Sequence, residues 1–124
     1  SEMANTKERS GELARIAIAA LEEKKATDIR VIDISEVSVL ADYFIIANGT
    51  SNTHVRALAE EVEAELSEAG VEPRNIEGRS TGWILLDYSD VVVHVFTPHD
   101  REYYNLERLW QDGEEMDISS LISE

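Results

Sequence analysis

Several groups of residues in this chain have types and spacings that could do chemistry, and each implies a different activity. Asn48-Gly49-Thr50-Ser51 lies between an apolar run and an amphipathic one, where free backbone N–H groups and a helix dipole can hold an anion. It lacks the lysine of a P-loop and the full GxGxxG of a dinucleotide site, so it reads as a structural turn. A nucleotidyltransferase would pair such a loop with closely spaced carboxylates, because two metal ions must be held side by side. Asp87 and Asp90 are the acids available for that task, yet no Asp-x-Asp occurs, and acids flanking a turn more often cap it.

Other polar chemistry is thinner still. His54, His94 and His99 could join Asp100 around a metal ion, but none has the paired helical spacing of a metalloprotease site. His94, between Val93 and Val95, reads as a hydrogen-bonded sheet residue. Ser51 and Ser80 lack a nucleophile-elbow sequence, and the chain has no cysteine, which removes thiol catalysis, zinc–thiolate sites and disulfides together. The expectation is a protein with no catalytic residues, no metal and no cofactor. What remains is apolar and aromatic: Trp83, Leu85 and Phe96, then Tyr103, Tyr104, Leu106 and Trp110. Trp and Tyr offer large contact area at low rotamer entropy, so they serve as interface anchors as well as core. One short helix cannot bury all four of its large residues on one stripe, so some should reach a partner.

These residues need elements to hold them. Leu13, Ile16, Ala17, Ala20 and Leu21 recur at helical spacing, which predicts a helix over about 6–24 with Ser10 as its cap. Asp28 to Ile34 alternates as a strand, with Ile32 and Ile34 on one face and Val31 on the other. Tyr43-Phe44-Ile45-Ile46-Ala47 is apolar on both faces and should be a central strand. Val55, Leu58, Ala59, Val62, Leu66 and Ala69 mark a second helix, stopped at Gly70, whose outer face is rich in glutamate.

Past Pro73, a short extended piece around Arg74 to Glu77 leads to Trp83–Asp87 and Val91–Phe96, joined by a polar bend as an antiparallel hairpin. Thr97-Pro98-His99-Asp100 combines a capping hydroxyl, a first-turn proline and an acid, so a third helix should follow. In it Tyr103, Leu106 and Trp110 share a face, and Arg101 and Tyr104 lie elsewhere. The whole is a single α/β domain over 1–124, with a mixed sheet of about five strands flanked by helices, a core at about 6–111 and an acidic tail at 112–124.

With 124 residues, 43% hydrophobic, the chain suits one soluble domain, and it has no apolar run long enough to span a membrane. Its start is polar and lacks the order of a secretory signal, so a cytoplasmic setting is expected. The net charge of -15 repels phosphate backbones, which disfavours direct nucleic-acid binding; on composition alone the surplus acids read as keeping a small domain soluble, and they permit a basic protein partner without naming one.

Three segments together resemble the RsfS/Iojap family of ribosomal silencing factors: Asp42 to Ser51 with His54-Val55-Arg56-Ala57-Leu58-Ala59, then Gly82 to Asp87, then Asp90 to Phe96 continuing through Arg101 to Trp110. The resemblance implies a sheet similar to the nucleotidyltransferase fold without its carboxylate pair. It also implies a non-catalytic translation repressor that binds the fourteenth protein of the large ribosomal subunit and blocks the docking of the small one. The family's partner-binding surface falls here on Trp83, Leu85, Asp87, Val93, Phe96, Arg101, Tyr104 and Leu106. Homodimer formation by the free protein is implied as well. Two rival readings stay open: a nucleotidyltransferase-like enzyme using Gly49 to Ser51 with Asp87 and Asp90, and a scaffold for some other basic protein.

Overall fold

A computed structural model describes residues 2–39, 41–78, 82–109 and 113–116. The expected Ser80 and Trp110, and most of the acidic tail, lie outside the described residues. The elements run α1 (Glu2–Glu23), β1 (Thr27–Asp33), β2 (Tyr43–Asn48), α2 (Asn52–Glu68), β3 (Asn75–Glu77), β4 (Trp83–Asp87), β5 (Val91–Phe96), α3 (Pro98–Tyr104), α4 (Leu106–Leu109) and β6 (Glu114–Met116).

The strands form one mixed sheet in the order β3-β4-β5-β2-β1-β6. β2 pairs parallel with β5 and antiparallel with β1, so the doubly apolar run stands inside the sheet as its sequence requires. Alternation along the strands separates two apolar layers. Val31, Tyr43, Ile45, Ala47, Ile84, Leu86, Val91, Val93 and Val95 meet the buried stripes of α1 and α2. Ile32, Ile34, Phe44, Ile46 and Phe96 face the other way, with Leu106 packed on them.

Local signals set most of the boundaries. The Ser51 side chain accepts a hydrogen bond from the His54 N–H and starts α2, and Gly70, at φ 86°, follows its last turn. Thr97 caps α3 by accepting from the Asp100 N–H, with Pro98 in the first turn. Asp87 accepts from the Ser89 N–H and so caps the bend between β4 and β5, where Ser89 takes a positive φ of 71°.

Three expectations need correction. Helix α1 starts at Glu2, so Ser10 is no cap: it lies mid-helix, fully buried, with its hydroxyl donating to the Asp42 carboxylate at 2.8 Å. The third helix is not continuous, because Asn105 adopts a left-handed conformation (φ 48°, ψ 56°) that ends α3 before α4 begins at Leu106. The chain beyond Asp112 also contributes a sixth strand, β6, which pairs with β1 through Val31 and Met116.

The turn after β2 is closed tightly. A Cβ on Gly49 would lie 2.9 Å from the Val55 backbone nitrogen and 3.1 Å from Leu58 Cδ1. Gly49→Ala must therefore push α2 off the sheet end, and a loss of about 1–3 kcal/mol is expected in urea unfolding. A midpoint equal to that of the parent chain would contradict this packing.

Candidate functional site

The phosphate-loop reading fails on geometry. The Gly49 N–H donates to the Phe96 carbonyl, the Thr50 N–H to His54 Nδ1, and the Val55 N–H to the Ser51 carbonyl. His54 is itself held, its Nε2 donating to the Lys24 carbonyl at 2.7 Å, so it staples the loop to the end of α1. The acids are also at the wrong place. Tyr43 pairs with Val91 and Asn48 with Phe96, which puts the bend of Asp87 and Asp90 at one end of the β2–β5 pair and Gly49 at the other. Six strand residues separate them by roughly 20 Å. The constellation of the nucleotidyltransferase reading is not assembled.

Nor do the histidines gather. Among the described residues the one group of side chains placed to share a cation is Glu23, Glu61 and Glu65, whose ligand atoms lie within 4.8 Å of one another. A hydrogen bond from Glu61 and the surrounding like charges raise the Glu65 carboxyl above its ordinary range. This is an acidic patch on the helical layer, across the sheet from the aromatic residues.

Those aromatics do come together, on the sheet face that α1 and α2 leave uncovered. Trp83 on β4 stacks on Phe96 of β5 at 5.1 Å between ring centroids, and Tyr104 of α3 lies over Trp83 at 4.6 Å. Tyr103 meets Tyr104 edge-on at 5.0 Å. The rings climb from a fully buried Phe96, through a half-buried Trp83, to Tyr104 at 46% and Tyr103 at 75% exposure. Leu85 and Asp87 follow Trp83 on the same side of β4, each half-buried.

The expected surface is thus narrower than the resemblance implied. Trp83, Leu85, Asp87 and Tyr104 reach solvent; Phe96 and Leu106 are buried beneath them as their floor. Val93 is a correction. It is fully buried against α1 and α2, since alternation along β5 sends it to the face opposite Phe96.

Asp87 is no free anion either, because Arg74 reaches it at 2.7 Å. A cationic group arriving there must displace or share that arginine.

Arg101 is buried at 6% exposure rather than displayed. Its guanidinium donates to the Asp28 carbonyl, to Asn48 Oδ1 at 2.9 Å and to the Glu107 carboxylate at 2.9 Å. It therefore ties α3 and α4 to the ends of β1 and β2, and holds Tyr104 and Leu106 over the sheet. At the other end of α3, Gly82 passes so close that a Cβ would lie 2.5 Å from Asp100 Oδ2.

His94 is the hydrogen-bonded sheet residue that its place between Val93 and Val95 predicts, and what the sequence did not tell is its partner. It lies at 3% exposure on the aromatic face, 4.9 Å from the Phe44 ring centroid, and its Nδ1 accepts from Trp83 Nε1–H at 3.1 Å. An indole nitrogen can only donate, so Nδ1 carries the lone pair and the ring proton sits on Nε2. That N–H is buried and has no acceptor among the described residues. Burial lowers the imidazole to a pKa of about 4.

The comparisons with known proteins point one way. A family described as "Ribosomal silencing factor during starvation" (RsfS) matches residues 7–124. The ribosomal silencing factor RsfS of Bacillus subtilis is 42% identical over 107 residues, covering 86% of this chain and 91% of that protein. The RsfS of Halalkalibacterium halodurans is 39% identical over 113 residues, covering 90% and 97%. A crystal structure of a protein from Chromobacterium violaceum superposes with a TM-score of 0.79 at 44% identity, covering 81% of this chain and 84% of that one.

Two stability predictions follow from the buried polar groups. The unfolded histidine titrates near 6.5 and the folded one near 4, so the unfolded state binds more protons between these values and stability drops as pH falls through that window. Between pH 7.5 and 5.0 the loss from this group is about 2 kcal/mol, and His94→Leu should remove it from the urea-unfolding profile. Arg101→Met, which strips three acceptors of their shared donor, should cost at least about 2 kcal/mol in the same assay. An unchanged midpoint would mean the network is idle.

Proposed function

The chain belongs to the RsfS family of ribosomal silencing factors, and from that premise we propose that it represses translation by binding the large ribosomal subunit and keeping the small subunit from docking. The observation that carries this reading is the aromatic ledge of Trp83 and Tyr104 on the sheet face opposite α1 and α2, where the described helices are the short α3 and α4. A rigid pair of rings over a buried floor is an anchor in which contact area is presented with little rotamer entropy left to lose.

The partner is the fourteenth protein of the large subunit, and the contact is made by Trp83, Leu85 and Tyr104 with Asp87 at the rim. The chain's net charge of -15 supports a basic protein rather than ribosomal RNA as the surface touched, and steers the approach. Repression is steric and needs neither a catalytic group nor a cofactor. The protein acts in the cytoplasm, where ribosomes are. A second copy of the chain competes for the same ledge, so the free homodimer and the ribosome-bound monomer exclude one another.

Trp83→Ala removes the larger anchor from a half-buried site and leaves both apolar layers in place. Co-sedimentation with purified large subunits should weaken by tenfold or more, equivalent to about 1.4 kcal/mol or above. Circular dichroism should confirm that the variant folds. If the folded variant sediments as the parent does, or if excess parent protein leaves subunit joining unaltered, the mechanism is wrong.

A further inference from the structure

The buried histidine at the root of the ledge has a cost that its packing does not explain. His94 lies between Leu85 of β4 and Ile46 of β2 in the sheet register, among the rings of Phe44, Trp83 and Phe96. An apolar side chain of similar volume would fill that place without burying two ring nitrogens. Of these, Nε2–H finds no acceptor among the described residues, and an unsatisfied buried donor destabilises the fold. The other nitrogen does have a task, and it is directed at Trp83.

We propose that His94 is a positioning residue for partner binding: its Nδ1 holds the indole N–H of Trp83 and so fixes the ring in the orientation that the partner meets. The inference rests on the proposed function and deepens it, since it names what sets the geometry of the anchor. Two features support it. Trp83 bridges His94 beneath it, through the 3.1 Å hydrogen bond, and Tyr104 above it, at 4.6 Å. Rotation of the indole about its side-chain bonds would break both contacts together. The acceptor is also available only in one form of the ring, because a proton on Nδ1 would turn a donor toward a donor. Burial keeps the ring neutral over the physiological range, so the acceptor is always presented.

The test uses two substitutions whose effects on stability and on binding run in opposite order. In His94→Leu the volume is kept and the orphan donor is gone, but the indole loses its acceptor. In His94→Asn the amide oxygen takes the place of Nδ1, while the smaller side chain leaves a gap and adds polar hydrogens to the interior. Urea unfolding should therefore rank the leucine variant as the more stable. Sedimentation with large subunits should rank them the other way, with His94→Leu weakened by fivefold or more and His94→Asn within about twofold of the parent. The Trp83 indole 1H–15N signal should move and exchange faster with solvent in the leucine variant only.

Binding that simply tracks stability, or an indole signal unmoved in His94→Leu, would overturn the proposal. Failure of the parent protein to sediment with large subunits would instead strike the proposed function, and this inference with it. A parent that binds beside a leucine variant that binds equally well would remove the inference alone.

Discussion

Two strands that run the same way cannot be joined by a tight turn, and the parallel pairing of β2 with β5 governs the rest of this molecule. Between them the chain must travel back along the sheet, and it does so through α2 and the hairpin strand β4. That route lays α2 across one face and delivers both β2 and β5 to the same end. There Gly49 bonds to Phe96, and α3 departs from Thr97. The acids of the hairpin bend are thereby sent to the far end. The glycine loop and the carboxylates that a nucleotidyltransferase would need side by side are thus held at opposite ends of the β2–β5 pair.

The second face has a different physical character from the first. On the helical side, α1 and α2 bury a largely aliphatic layer, and Tyr88 joins it with its hydroxyl unpartnered among the described residues and its ionisation pushed up by burial, then by Glu63 and Glu72. On the other side, among the described residues, the cover is the short helices α3 and α4, held down by one arginine, with Gly113 close to Ile32 and Ile34, and the layer mixes the rings of Phe44, Trp83 and Phe96 with aliphatic side chains. Rings that are half in and half out of the core keep one surface for the protein and one for a partner. The two faces thus differ in kind, one sealed by long helices and the other ending in a half-exposed ledge.

Much of this was readable in the residues. Alternation assigned Val31 and Ile32 to opposite layers, and the capping pattern at Thr97 placed the start of α3. The same rule of alternation separates Val93 from Phe96, so a surface containing both was inconsistent on parity alone, and it marks His94 as a member of the aromatic face. What was hidden is long-range. Nothing near Arg101 in sequence tells that its acceptors are Asp28 and Asn48, since those contacts depend on where β1 and β2 end. Nothing in three residues of tail tells that they pair with β1, because so short a strand carries no period. The break at Asn105 is a single left-handed residue inside a pattern that reads as helix throughout.

The position of β6 bears on how the molecule comes into being. It is the last described strand to be synthesised and it lies against β1, the first. During vectorial synthesis the outer edge of β1 waits for β6, with the backbone amides and carbonyls of that pairing open to other strands until Glu114–Met116 has left the exit tunnel. A silencing factor is thus exposed to mispairing for longest while it is still attached to the kind of machine its family restrains.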